Sequence, residues 1–223
     1  MRSPSPRDRA RRAPTRNPVT RVLVVCEGQT EEAYFRHLNE LLHGGGVAIK
    51  AVVSPTPAPQ EIVDTAKKYR QGDTRHGIEP DAYDQVWAVF DWDEHTDEVA
   101  QARRAATAAG VGVALSSPCF EVWLLWHFKD YTRPGCLPRD AAQDLRAAWP
   151  EFEKGKRRLD VAALSPQGCS DALRRAAAVD ALHAIEGRSY PENRPSSGVH
   201  VLVTRIIEVW QDVLGRGTDC PIG

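Results

Sequence analysis

The chain has 223 residues, 42% apolar and 26% charged, which is ordinary globular composition and excludes wholesale disorder. Its net charge of -1 hides an asymmetry. Residues 1–21 carry seven arginines against one acid, Asp8, so the remainder is acidic and meets nucleic acid only through a local basic patch, bound cations or the tail. No apolar run reaches the ~20 residues of a membrane span, and the N-terminus lacks the apolar stretch of a secretory signal.

The Arg-rich start resembles an organelle transit peptide in composition. Pro4, Pro6, Pro14 and Pro18 fit a disordered tail over residues 1–19 better. The five cysteines, at 26, 119, 136, 169 and 220, form no C-x-x-C pair. Neither a disulfide framework nor a zinc knuckle is expected, and a reduced cytoplasmic protein is.

Thr20–Cys26 is a continuous β-branched run, short enough for a buried parallel strand. Tyr34, Phe35, Leu38, Leu41 and Leu42 then recur at helical spacing until Gly44-Gly45-Gly46 stops them. Val47–Ser54 predicts a second strand, and Pro55, Pro57 and Pro59 a stiff loop before a helix over Glu61–Arg70. Gln85–Phe90 predicts a third buried strand ending at Asp91. Thr96 caps a helix over Asp97–Ala109, and Val111–Leu115 is a fourth strand. This order argues for a four-stranded parallel α/β sheet flanked by helices.

Ser117-Pro118 has the pattern of an N-cap followed by an N1 proline, opening an apolar helix to about Phe128. Residues 129–214 are read as a helical extension packing on the 20–128 core, with helices near 138–148 and 170–186. Between them lies the basic stretch Lys154-Gly155-Lys156-Arg157-Arg158. Val199, Leu202, Val203, Ile206, Ile207, Trp210, Val213 and Leu214 trace one face of a last helix, and residues 215–223 form a loose tail.

Glu27 and Asp91 each follow a buried strand at once, which puts both on the carboxyl edge of a parallel sheet, where sites form. Neighbouring strands lie ~4.8 Å apart, so two such carboxylates can share a cation. Asp93, two residues beyond Asp91, aims a third carboxylate the same way. Such oxygen-rich clusters suit Mg²⁺ or Mn²⁺ together with a substrate phosphate. Glu31 falls in the first turn of the following helix, where it also complements the helix dipole. Glu121 and His127 are the ionisable residues of an apolar helix; a buried Glu there needs either a cationic partner or a metal.

Lys154 or Lys156 could offset charge in a phosphoryl transition state, although a basic turn is ordinarily just solvated. His127 is expected in the core, and His200, a turn into the last helix, is an accessory candidate. Of the tryptophans, Trp92 is the one expected to face solvent and stack a base. Haloacid-dehalogenase-type phosphatases place D-x-D after the first strand rather than the third, and nothing here asks for a nucleotide sugar. A nucleotidyl transferase stays open.

Glu27-Gly28-Gln29-Thr30-Glu31 with Tyr34-Phe35 resembles the E-G-x-T-E…Y-F opening of the RloB-like family. The similarity continues through Asp91-x-Asp93, Ser117-Pro118-Cys119-Phe120-Glu121-Val122-Trp123-Leu124-Leu125-x-His127-Phe128, and Asn193-x-Pro195-Ser196-Ser197-x-Val199-His200. Ser117 stands where Asn is usual, Arg194 interrupts the Asn-Pro pair, and Ser197 replaces a common Thr.

The resemblance implies a Toprim-like fold with a helical C-terminal extension. It also implies a role in bacterial abortive infection or beside restriction-modification systems, with an AAA-type ATPase as partner. By that pattern Glu27 is the general acid/base and Asp91 and Asp93 are metal ligands. Glu31 and Glu121 are similar to the further acids that help hold two metals in the overcoming-lysogenization-defect nucleases. Asn193 enters as an accessory residue of the last motif. Metal-dependent hydrolysis of DNA or RNA is the activity implied; a non-catalytic recognition or regulatory subunit of a defence complex is the alternative.

Overall fold

The computed structural model describes residues 19–43, 45–73, 75, 77–79, 82–92, 96–155, 164–190 and 192–214. Twelve elements follow in order. They are β1 (Thr20–Cys26), α1 (Gln29–Leu41), β2 (Val47–Val53), α2 (Pro59–Gln71), β3 (Gln85–Asp91), α3 (Thr96–Ala108), β4 (Gly112–Ser117), α4 (Glu121–Trp126), α5 (Pro138–Ala148), α6 (Pro166–Ile185), β5 (Ser196–Ser197) and α7 (Val199–Leu214).

The strands form one sheet in the order β2-β1-β3-β4-β5. β1 runs parallel to both β2 and β3, and β3 runs parallel to β4. The expected four-stranded parallel sheet is therefore corrected to a mixed five-stranded one, because β5 adds antiparallel to β4 through Ser116–Ser197 and Ser117–Ser196. The fold is α/β, with helices on both faces.

β1 is buried from Val22 to Cys26 because both of its faces are covered. Val22, Val24 and Cys26 point into a core shared with α1, α4, α6 and α7, where Phe35, Trp123, Trp126 and Leu202 lie. Leu23 and Val25 point the other way, against Ile62 and Val63 of α2 and Val99 and Ala102 of α3. This period of two is the pleat of the strand read as burial.

α4 is enclosed by α5 and α6 and is buried along its whole length. It starts at Glu121 rather than just after Ser117, a second correction. Ser117 is the last residue of β4, its backbone spoken for by pairing with β5, so it does not cap a helix. Among the described residues, no helix is long and apolar enough to cross a membrane.

Candidate carboxylate site at the sheet edge

The chain leaves β1 to build β2 on one side, then returns to place β3 on the other. The ends of β1 and β3 therefore flank a topological switch point, where a crevice opens beyond an α/β sheet. Glu27 and Asp91 stand there. The Glu27 backbone N–H donates to Val89 O at 3.0 Å, and the Asp91 backbone N–H donates to Glu27 Oε2 at 2.9 Å. The two strand ends are thus stitched together through one of the carboxylates.

Glu31 lies in the first turn of α1 and is 8% exposed. Gly28, the residue before α1, lets its carboxylate come close: a Cβ at Gly28 would sit 3.1 Å from Glu31 Oε2. Burial pushes the Glu31 carboxyl up to about 7. A backbone hydrogen bond opposes this, while Glu27 and Glu121 repel its charge and Lys154 relieves it. Asp91 is raised well above the usual carboxylate range, first by burial and then by Glu27, Glu31 and Glu121.

Glu121, at the start of α4, is 1% exposed. Its Oε1 meets Lys154 Nζ at 2.7 Å. Lys154 arrives on the α5–α6 connection, pinned where the Gly155 N–H donates to Thr30 Oγ1 at 3.1 Å. Partial burial works against the ammonium, but Glu121 and then Asp91 outweigh it and hold it charged. Among the described residues, four carboxyl groups from two strand ends, the first turn of α1 and the start of α4 therefore share one field, with Lys154 against them.

Sequence reasoning had both Lys154 and Glu121 but not their pairing. It missed Thr30 and Gly155 as the clasp, because a contact across 125 residues leaves no local signal. Asp93 and Lys156 lie outside the described residues, as do most of the Arg-rich tail and the C-terminal tail.

The remaining candidates sit elsewhere. His200 places Nδ1 2.6 Å from Ser197 O and Nε2 3.3 Å from Asp180 Oδ2, neither of them part of the acid cluster. Asn193 donates its backbone N–H to Ser189 O at 3.1 Å, in the loop leading to β5. His127 is buried edge-on against Tyr34 and Trp123 and pushed down to about 3, by burial first and then by His37 and Arg175. It is a neutral core residue.

Trp92 corrects the expectation of a solvent-facing base platform. It is 5% exposed and stacked on Tyr190, with centroids 5.1 Å apart and planes at 11°. Burial raises the thiols of Cys26 and Cys119 well above their ordinary value, and nearby acids add to it, so neither is poised as a thiolate.

In donor type alone the cluster matches a hard divalent cation. Its donors are carboxylate oxygens, and buried like charges demand a proton or a cation between them. Glu27, Glu31, Asp91 and Glu121 are the described residues that could hold one. Among the described residues, however, no three His, Cys, Asp or Glu side chains converge closely enough to hold a metal ion.

No curated protein and no solved structure matches this chain significantly. One family does: that described as RloB-like protein, over residues 22–206, a span from β1 into α7 that takes in every described residue of the acid cluster. A match over most of the chain makes this protein a member of the RloB-like family.

Proposed function

We propose that this protein is a metal-dependent phosphodiesterase, a Toprim-like nuclease of bacterial defence working in abortive infection or beside restriction-modification. One observation carries the reading. Carboxylates, half-buried at Glu27 and Asp91 and buried at Glu31 and Glu121, gather at the switch point of the sheet, with Asp91 N–H fixing Glu27 Oε2 at 2.9 Å.

Asp91, Glu31 and Glu121, with Asp93, would hold Mg²⁺ or Mn²⁺, which when bound neutralises phosphate charge as a Lewis acid. Glu27, oriented by the Asp91 backbone, would take the proton from the attacking water. Lys154, held charged against Glu121, would balance the negative charge that grows on the phosphoryl oxygens. DNA or RNA is the substrate class, and an AAA-type ATPase the partner.

The test uses plasmid DNA, single-stranded DNA and tRNA, each with Mg²⁺, Mn²⁺ or EDTA. Wild type should cleave at least one of them, EDTA should stop it, and Asp91→Ala should lose all but about a thousandth of the rate while staying folded. Cleavage that survives Asp91→Ala would remove the site.

A second reading has its own support. Lys154 already neutralises Glu121, and the described carboxylates do not close into a three-ligand set. A recognition or regulatory subunit would show that arrangement. Stable capture of an ATPase partner with no cleavage under any metal would favour it.

A further inference from the structure

The far edge of the sheet lies outside the acid cluster. β5 covers β4 only at Ser116 and Ser117. The direction of the earlier backbone groups follows from two contacts. The Ser116 carbonyl accepts from Trp92 N–H at 2.7 Å, on the β3 side. The Leu115 carbonyl points the opposite way and accepts from Gly198 N–H at 2.8 Å and from the Tyr190 hydroxyl at 3.1 Å. Alternation along the strand then turns the N–H and C=O of Val113 outward with it. Among the described residues, no strand pairs with them.

A groove of about 560 Å³ runs along this edge, bounded by Trp87, Arg103, Thr107, Gly112, Val113 and Val201. Gly112 shapes it. A Cβ there would fall 2.5 Å from the Trp87 ring, so the indole occupies the space a side chain would fill. That brings an aromatic wall to the strand edge. Val201 of α7, 45% exposed, gives a second apolar wall. Across the strand, α3 contributes Arg103, whose guanidinium lies 5.6 Å from the Tyr190 ring, and Arg104 lines the adjoining hollow with Arg103 and Thr107.

We propose that this edge takes an extended segment of another protein as an added strand, one that alternates apolar and acidic side chains. Main-chain hydrogen bonds to Val113 would fix it. Its apolar side chains would pack on Trp87 and Val201, and its acids would face Arg103 and Arg104. Charge decides between this occupant and a second copy of the chain. Two β4 edges pairing antiparallel about a two-fold axis perpendicular to the sheet would bring both α3 helices to one face. Arg103 and Arg104 of each copy would then meet their own kind, whereas an acidic segment neutralises them.

The experiment titrates full-length protein into a fluorescein-labelled eight-residue probe alternating valine and glutamate, read by anisotropy. A probe alternating valine and lysine is the control. Saturable binding of the glutamate probe alone is expected. Two variants should each weaken it at least about tenfold. Val113→Pro removes the outward N–H without touching the β3 ladder. Arg103→Glu/Arg104→Glu reverses the surface charge and stands in if the proline variant fails to fold. No saturable binding, equal binding of the lysine probe, or full affinity in the charge-reversed variant would each overturn the proposal. So would dimerisation in light scattering that the glutamate probe cannot compete away.

Discussion

Glu31 is where burial and charge act most plainly on one group. Its carboxyl is held near 7, chiefly because burial disfavours the anion, with Glu27 and Glu121 adding repulsion. The unfolded chain would titrate it near 4.5, so the folded state keeps the proton over a window in which the unfolded state gives it up. Stability is therefore undiminished below about pH 4.5 and falls as pH rises toward 7. Glu31→Gln removes the ionisable group while keeping its shape. In EDTA the variant should match wild type at pH 4.5 and gain on the order of 2 kcal/mol at pH 8, measured by urea unfolding. An equal difference at both pH values would mean that its charge is not what strains the site.

At the scale of elements, α7 is docked by its last aromatic residue. Trp210 is 7% exposed, and its indole N–H donates to Leu42 O at 3.2 Å, an acceptor shared with the Gly45 N–H at 3.1 Å. The ring passes so close to Gly45 that an added Cβ would overlap the indole at Nε1. Gly45→Ala should thus push α7 off the end of α1 and cost about 1–3 kcal/mol, read as a lowered Tm. An unchanged Tm would show that the Trp210 ring yields to the methyl group and that this contact does not hold α7 in place.

The Gly44-Gly45-Gly46 run announced only a helix stop. Its packing role needed Trp210, 165 residues away. The same contrast runs through the whole fold. β1 and β3 were legible because each is a short, largely apolar run, buried in the middle of the sheet and followed or ended by an acid. β5 was not, since two serines carry no hydrophobic period and are placed wholly by pairing with Ser116 and Ser117. Trp92 was misread for a related reason. Polar neighbours implied solvent, and the ring that covers it, Tyr190, comes from nearly a hundred residues on. Ser117-Pro118 carries the same local signal whether it ends a strand or opens a helix, and the sheet settled which.

For the whole molecule, the proposed metal-dependent function would link cation binding to folding at the acid cluster. Its carboxylates come from β1, α1, β3 and α4, so the site exists only when sheet and helices are assembled. A cation bound there would stabilise the native state alone, by about 2.7 kcal/mol at a hundredfold excess over Kd. Protons compete for the same oxygens, because Glu31 is held near 7 and Asp91 well above its ordinary range. The Tm gained on adding Mn²⁺ should therefore be small at pH 5.5 and grow toward pH 8. Ca²⁺, larger and content with looser oxygen cages, need not follow the same profile. Asp91→Asn should abolish the gain while its metal-free Tm stays level or rises, since the change relieves the repulsion that Glu27, Glu31 and Glu121 exert on Asp91. A Tm indifferent to Mn²⁺ at pH 8 would leave Lys154 as the counter-ion of the cluster and shift the weight to the regulatory reading.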